Sequence, residues 1–113
     1  MADNALDSIN GNPVLQPVYA KLIAELQKLG PIIIEPKKTS IHIKAKSAFV
    51  GIHPRKNHFI INIVTIQPIQ SKRVLEFEQV SRSRFHNHVK IGSELEIDDE
   101  LNSWFKQAYE LLS

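Results

Sequence analysis

The chain has 113 residues, 42% of them hydrophobic, with 14 Lys or Arg against 12 Asp or Glu, a net charge of +2 and no cysteine. That length suits one domain able to bury roughly two thirds of its unfolded surface without a staple. The missing cysteine excludes disulfides, thiolate zinc sites and cysteine nucleophiles, and fits a reducing, cytoplasmic setting.

Met1 to Asn12 is polar and has no apolar core of a signal peptide, so residues 1–12 are expected to be a flexible tail ahead of a single domain over 13–113. Leu15, Val18, Leu22, Leu26 and Leu29 then recur at helical spacing, with Asn12 able to cap ahead of Pro13 and Gly30-Pro31 as a stop. The spacing predicts a helix from about Pro13 to Leu29. After it the period becomes two. Ile32 to Ile34, Ser40 to Lys46, Ala48 to His53, His58 to Ile66, Lys72 to Val80 and Arg84 to Ile91 are rich in β-branched and aromatic residues and are divided by turn signals. One of these signals, Pro54-Arg55-Lys56-Asn57, lies between two apolar runs and reads as a hairpin. Ile97, Leu101, Trp104, Phe105, Ala108, Leu111 and Leu112 mark a closing amphipathic helix, with Asp98 or Ser93 as its N-cap and early acids suited to its dipole. None of these apolar runs is long enough to cross a bilayer.

Short connections make successive strands antiparallel, and two terminal helices with one apolar face each must lie on the sheet. The predicted fold is therefore α+β: two layers, one antiparallel sheet of five or six strands, and N- and C-terminal helices packed on one face. Leu75, Phe77, Phe85, Val89 and Ile91 are expected to meet those helices, together with Ile41 and Ile43. His42, Lys44 and Lys46 are expected on the uncovered side.

Charge is segregated along the chain. Pro36 to Gly92 holds eleven Lys or Arg against two acids, Glu76 and Glu78, a local balance of +9, whereas Ser93 to Ser113 stands at −5. The sharpest element is a stripe: Arg82, Arg84, His86, His88 and Lys90 alternate with Ser83, Phe85, Asn87 and Val89, which on a strand puts positive charge on one face. Lys44, Lys46, Arg82, Arg84, His86, His88 and Lys90 are thus candidates to bind nucleic acid or another anion through phosphate-backbone contacts. Stacking aromatics are missing from that parity. A second candidate is an interface. Val50, Ile52, Ile60, Val64 and Ile66 share the parity of Asn62 and would form an apolar centre on the open face, suited to a homodimer or a larger protein partner.

His86 and His88 would share a face and could begin a metal site with His42, Glu76 or Glu78, but Arg84 and Lys90 beside them repel cations, so no metal is expected. No nucleophile elbow, phosphate loop or zinc-helix motif is present, Asp98, Asp99 and Glu100 are explained by helix capping, and neither catalytic residue nor cofactor is expected.

Lys38-Thr39-Ser40-Ile41-His42-Ile43, Phe49-Val50-Gly51-Ile52-His53-Pro54, Phe85 to Ile91, and Ile97-Asp98-Asp99-Glu100-Leu101 with Trp104 and Ala108-Tyr109 together resemble the uncharacterised bacterial domain-of-unknown-function family DUF 5655. The likeness runs from about Val18 to Leu112. It implies a helix-sheet-helix domain, found alone or appended to larger proteins that include predicted nucleases, and it supplies no reaction, ligand or catalytic residue to carry over.

Overall fold

Asn4 opens the described part of the chain, residues 4–113 of the computed structural model, as an N-cap. Its side chain accepts from the Asp7 backbone N–H at 3.1 Å, and the Asp7 carboxylate accepts from the Asn4 N–H at 3.0 Å. This reciprocal capping box starts a six-residue helix, α1 (Ala5–Asn10), whose Ala5 and Ile9 are buried in the core. Residues 4–12 are therefore not the flexible tail the composition suggested. Two apolar side chains one helical turn apart anchor the segment, while residues 1–3 lie outside the described part.

The second helix, α2, spans Leu15–Gln27 and buries Leu15, Val18, Leu22 and Leu26, as its spacing predicts. Asn12 holds its first turn: Oδ1 accepts from the N–H groups of Val14 at 2.9 Å and Leu15 at 3.3 Å. Past its end, Gly30 adopts a φ of 145°, a backbone state that L side chains rarely adopt. The Tyr109 ring occupies the space a Cβ would take there, and its hydroxyl donates to the Pro31 carbonyl at 3.1 Å.

Six strands follow: β1 (Ile33–Pro36), β2 (Ile41–Lys44), β3 (Ala48–Pro54), β4 (Phe59–Thr65), β5 (Val74–Ser81) and β6 (Arg84–Ile91). All neighbours are antiparallel, in the order β1-β2-β3-β4-β6-β5. A 3-10 turn, Glu94–Glu96, and α3 (Asp99–Leu112) complete the chain. Both candidate caps are used, but by different elements: Ser93 caps the short turn, and Asp98 Oδ1 accepts from Leu101 N–H at 3.0 Å to start α3.

Phe59 meets Tyr19 of α2 at 6.4 Å between ring centroids, which identifies the helix-covered side of the sheet. Register then assigns the rest. Ile41, Ile43, Val50, Ile52, Ile61, Ile63, Val89 and Ile91 all fall on the Phe59 side, are buried, and pack with Leu22, Leu26, Leu101, Phe105 and Ala108. Each large side chain so buried is worth about 1.5–3 kcal/mol.

The strand at the far edge departs from expectation. Leu75 is 62% and Phe77 53% exposed, because β6, not β5, adjoins β4 and the helices do not extend over the outermost strand. Phe77 stacks edge-on against Phe85 at 6.0 Å instead of entering the core. Between β4 and β5, residues 66–73 run along the helix-covered side and are held at two points. Asn87 ties the Ile69 backbone, and Arg73 bonds the Asp98 and Glu100 carboxylates and the Glu96 carbonyl while lying 5.6 Å over the Trp104 ring.

Candidate functional site

The sheet face away from the helices is crossed by one continuous transverse row, fixed by register in all six strands: Glu35, His42, Gly51, Asn62, His88 and Glu76. Beside it run Lys44, Val64, His86 and Glu78 on one flank and His53, Ile60 and Lys90 on the other. None of the described helices covers this face.

Gly51 sits near the middle of the row, and with no side chain it leaves a hollow of about 190 Å³ bounded by His42, His53, Asn62, Val64 and His86. A Cβ at Gly51 would come 3.3 Å from His53 Nε2 and 3.5 Å from Asn62 Cβ, so the imidazole and the amide close over the bare backbone. Asn62 Nδ2 donates to His86 Nδ1 at 3.1 Å, which makes that ring nitrogen an acceptor and the imidazole neutral. Asn62 Oδ1 is buried and has no donor among the described residues.

Desolvation holds His53 below the ordinary histidine value, and the nearby Arg55 guanidinium and the His88 and His42 imidazoles push the same way. Desolvation also depresses His86, partly offset by the nearby Glu78. The unfolded chain therefore takes up protons on these two rings before the folded one does. Stability should be level above about pH 7 and fall as pH drops through 6.5, the unfolded value. Urea midpoints at pH 7.5 and 5.5 read this directly, with a smaller difference expected in His53→Gln or His86→Gln. Loss of the depressed carboxylates Glu25, Glu35 and Asp98 belongs to a separate window, below their ordinary values of 4.5, 4.5 and 3.8.

The sequence-derived cations divide. Lys44, His86, His88 and Lys90 lie on this face, and Arg84 stands at its margin. Arg82 leaves the stripe, because the β5–β6 connection is a two-residue turn, Arg82-Ser83, where alternation stops. Lys46 likewise sits in the β2–β3 turn, its backbone N–H donating to the Leu112 carbonyl at the end of α3. Several of the remainder are engaged: Lys44 lies 3.6 Å from Glu35, His88 3.2 Å from Glu76, and Arg84 donates to the Ser83 carbonyl at 2.9 Å.

The apolar set divides as well. Val50 pairs with Ile63 and Ile52 with Ile61, so even-numbered β3 residues share a face with odd-numbered β4 residues. Val50 and Ile52, 2% and 0% exposed, thus belong to the core and not to an open surface. Ile60 and Val64 do lie on the open face, Ile60 half-buried and Val64 buried, while Ile66 falls beyond the end of β4 and is 58% exposed.

Gly51, His53 and the unpaired Asn62 oxygen are not singled out as a site by sequence, and His42 is named there only as a third metal ligand and as a residue of the uncovered side. A glycine inside the β3 run and an asparagine inside the apolar β4 run were the available signals. Among the described residues no three His, Asp or Glu side chains are placed to hold a metal ion, and no helix is long and apolar enough to cross a membrane. A larger groove of about 610 Å³ lies between α3 and residues 65–70, but its ionisable side chains, Glu100 and Glu110, stand about 15 Å apart along the helix axis and form no cluster.

No curated protein and no solved structure matches the chain. One family model does, that described as Domain of unknown function (DUF5655), and it covers residues 5–112. Spanning every element from α1 to α3, that match shows that the chain belongs to the DUF5655 family.

Proposed function

We propose that the chain is a non-enzymatic interaction domain that uses its open sheet face to dock a protein surface, a second copy of the chain being the first partner to test. The observation that carries this reading is the distribution of charge on the face. Its centre is uncharged, made of Ile60, Asn62, Val64 and the neutral imidazole of His86, while Lys44, Arg84 and Lys90 alternate with Glu35, Glu76 and Glu78 toward the margins. An apolar and hydrogen-bonding centre with a mixed polar rim is the anatomy of a protein interface, and both signs of charge on one surface suit self-complementarity. Six strands about 4.8 Å apart give a face about 24 Å wide; β3 to β6, seven or eight residues long, carry it about 25 Å along the strands, and β1 and β2, four residues each, about half that, which approaches one side of a standard interface.

Phosphate-backbone binding is the second reading, and it rests on Lys44, Lys46, Arg82, Arg84, His86, His88 and Lys90. Glu76 and Glu78 stand opposite His88 and His86 on the same face, and they lower its attraction for phosphate. The absence of cysteine fits the cytoplasm as the compartment.

Sedimentation of the wild type and of Ile60→Asp tests the first reading. A concentration-dependent dimer is expected, weakened by about 2 kcal/mol or more in the variant, roughly thirtyfold in Kd. A wild type that remains monomeric, yet binds labelled oligonucleotides in a salt-sensitive way that Arg84→Glu abolishes, would reject docking in favour of phosphate binding.

A further inference from the structure

The outer edge of β5 is a second surface, and it is chemically distinct from the open face. β5 is the last strand of the sheet, and no described strand pairs with its outer side over the eight residues Val74–Ser81. Such an edge is a template for another strand, and proteins usually blunt it. Here β-bulges interrupt the β5–β6 register at both ends, at Leu75 between Val74 and Glu76 and at Val80 between Gln79 and Ser81; Phe77 between the bulges stays 53% exposed, and Leu75 and Val80 within them 62% and 47%.

The two faces of this edge differ. Glu76 and Glu78 point to the open side, opposite His88 and His86, with the Glu76 side chain 74% exposed. On the other side Phe77 and Phe85 form an aromatic pair that the helices do not cover. We propose that the outer edge of β5 takes an extended peptide as a seventh strand, one whose alternate side chains are basic and whose intervening side chains are apolar.

The inner edge of β5 already pairs with such a strand. β6 reads Arg84-Phe85-His86-Asn87-His88-Val89-Lys90, basic toward the open side and largely apolar toward the other. A strand on the outer edge meets the same two carboxylates and the same phenyl ring at the same cross-strand spacing of about 5 Å. Pairing with a second copy of β5 is disfavoured by charge. Antiparallel strands keep their faces only where paired residues share parity, so when Phe77 faces Phe77, Glu76 meets the second copy's Glu78, and the next register that keeps the faces, two residues on, brings Glu78 onto Glu78. The edge thus selects against itself and for a cationic strand.

The test uses the full chain and a fluorescein-labelled, end-blocked Lys-Val-Lys-Val-Lys-Val-Lys peptide, followed by anisotropy. Saturable binding is expected, with none for the matching Glu-Val peptide, and a loss of at least tenfold in the E76K/E78K variant, which should gain affinity for the Glu-Val peptide. Backbone pairing is tested on the wild type alone, so the result stands even if the variant folds poorly. The same Lys-Val peptide N-methylated at every backbone amide keeps its charge but has no N–H on either edge to add as a strand, and it should not bind. Equal binding of the methylated peptide, absence of binding by the unmodified one, or a wild-type dimer that Phe77→Lys dissociates would each overturn the proposal. Ile60→Asp leaves the β5 edge intact, so failure of open-face docking and failure of this inference are separable.

Discussion

Replacing Asn87 by Ala should lower stability by about 2–4 kcal/mol, a cost that leaves the folded state depleted in a domain of this size. Asn87 is fully buried on β6, on the helix-covered side. Its Nδ2 donates to the Ile63 carbonyl at 2.9 Å and to Thr65 Oγ1 at 2.8 Å, and its Oδ1 accepts from Ile69 N–H at 2.9 Å. All four lines of its hydrogen-bonding capacity except one lone pair are therefore spent inside the protein. The Ala variant loses three bonds worth roughly 1 kcal/mol each and strands the Ile69 N–H, which is the more expensive part. Urea denaturation measures the loss. Amide exchange should also show faster opening over residues 66–73, because Asn87 is one of the two points that hold that segment. If stability changed by less than 1 kcal/mol and the exchange pattern stayed put, the network would not be structural.

The second large effect is expected at the other end of the chain. Ile9→Ala should destabilise by about 2–5 kcal/mol, the usual range for truncating a fully buried aliphatic side chain, since transfer free energy is lost and a cavity remains. A flexible tail would give nothing. Ile9 is 0% exposed and Ala5 1%, and the Ala5 N–H donates to the Lys37 carbonyl at 2.9 Å, so α1 is tied to the β1–β2 turn as well as to the core. Thermal or urea unfolding of Ile9→Ala beside the exposed control Ser8→Ala separates the two pictures.

These two residues show where the sequence is opaque. α2, the longer strands β3 to β6, the Pro54 to Asn57 hairpin and α3 announce themselves through repeated periods or clear Gly, Pro and cap signals, whereas the four-residue β1 and β2 rest on short β-branched runs and leave the strand number at five or six. α1 is six residues long, so its apolar period appears once, as Ala5 and Ile9, and one repeat cannot be told from chance. Phe77 and Leu75 alternate like core residues, yet alternation reports only that two faces differ; the β4-β6-β5 order that leaves them bare is set by tertiary pairing. Val50 and Ile52 failed for a related reason. Parity within a strand is visible in the sequence, but the hairpin register that matches even to odd across strands is not. Asn87 was read as an apolar-face position, and nothing local reveals that three partners from β4 and the following loop converge on it. On the open face, the cations of β6 were legible as a stripe, whereas the Glu76 and Glu78 ladder beside them depends on the same strand order.

That order also constrains how the sheet can be assembled. β6 lies between β4 and β5 although it is the last strand in the chain. The edge of β4 therefore stays bare while β5 is already synthesised, and it closes only when the β5–β6 hairpin, formed locally across its two-residue turn, docks as a unit. Until residue 91 has been made, the apolar run Phe59–Thr65 has no neighbour on that side, so the interval in which this chain is most exposed to misassociation is set by the last strand of the sheet.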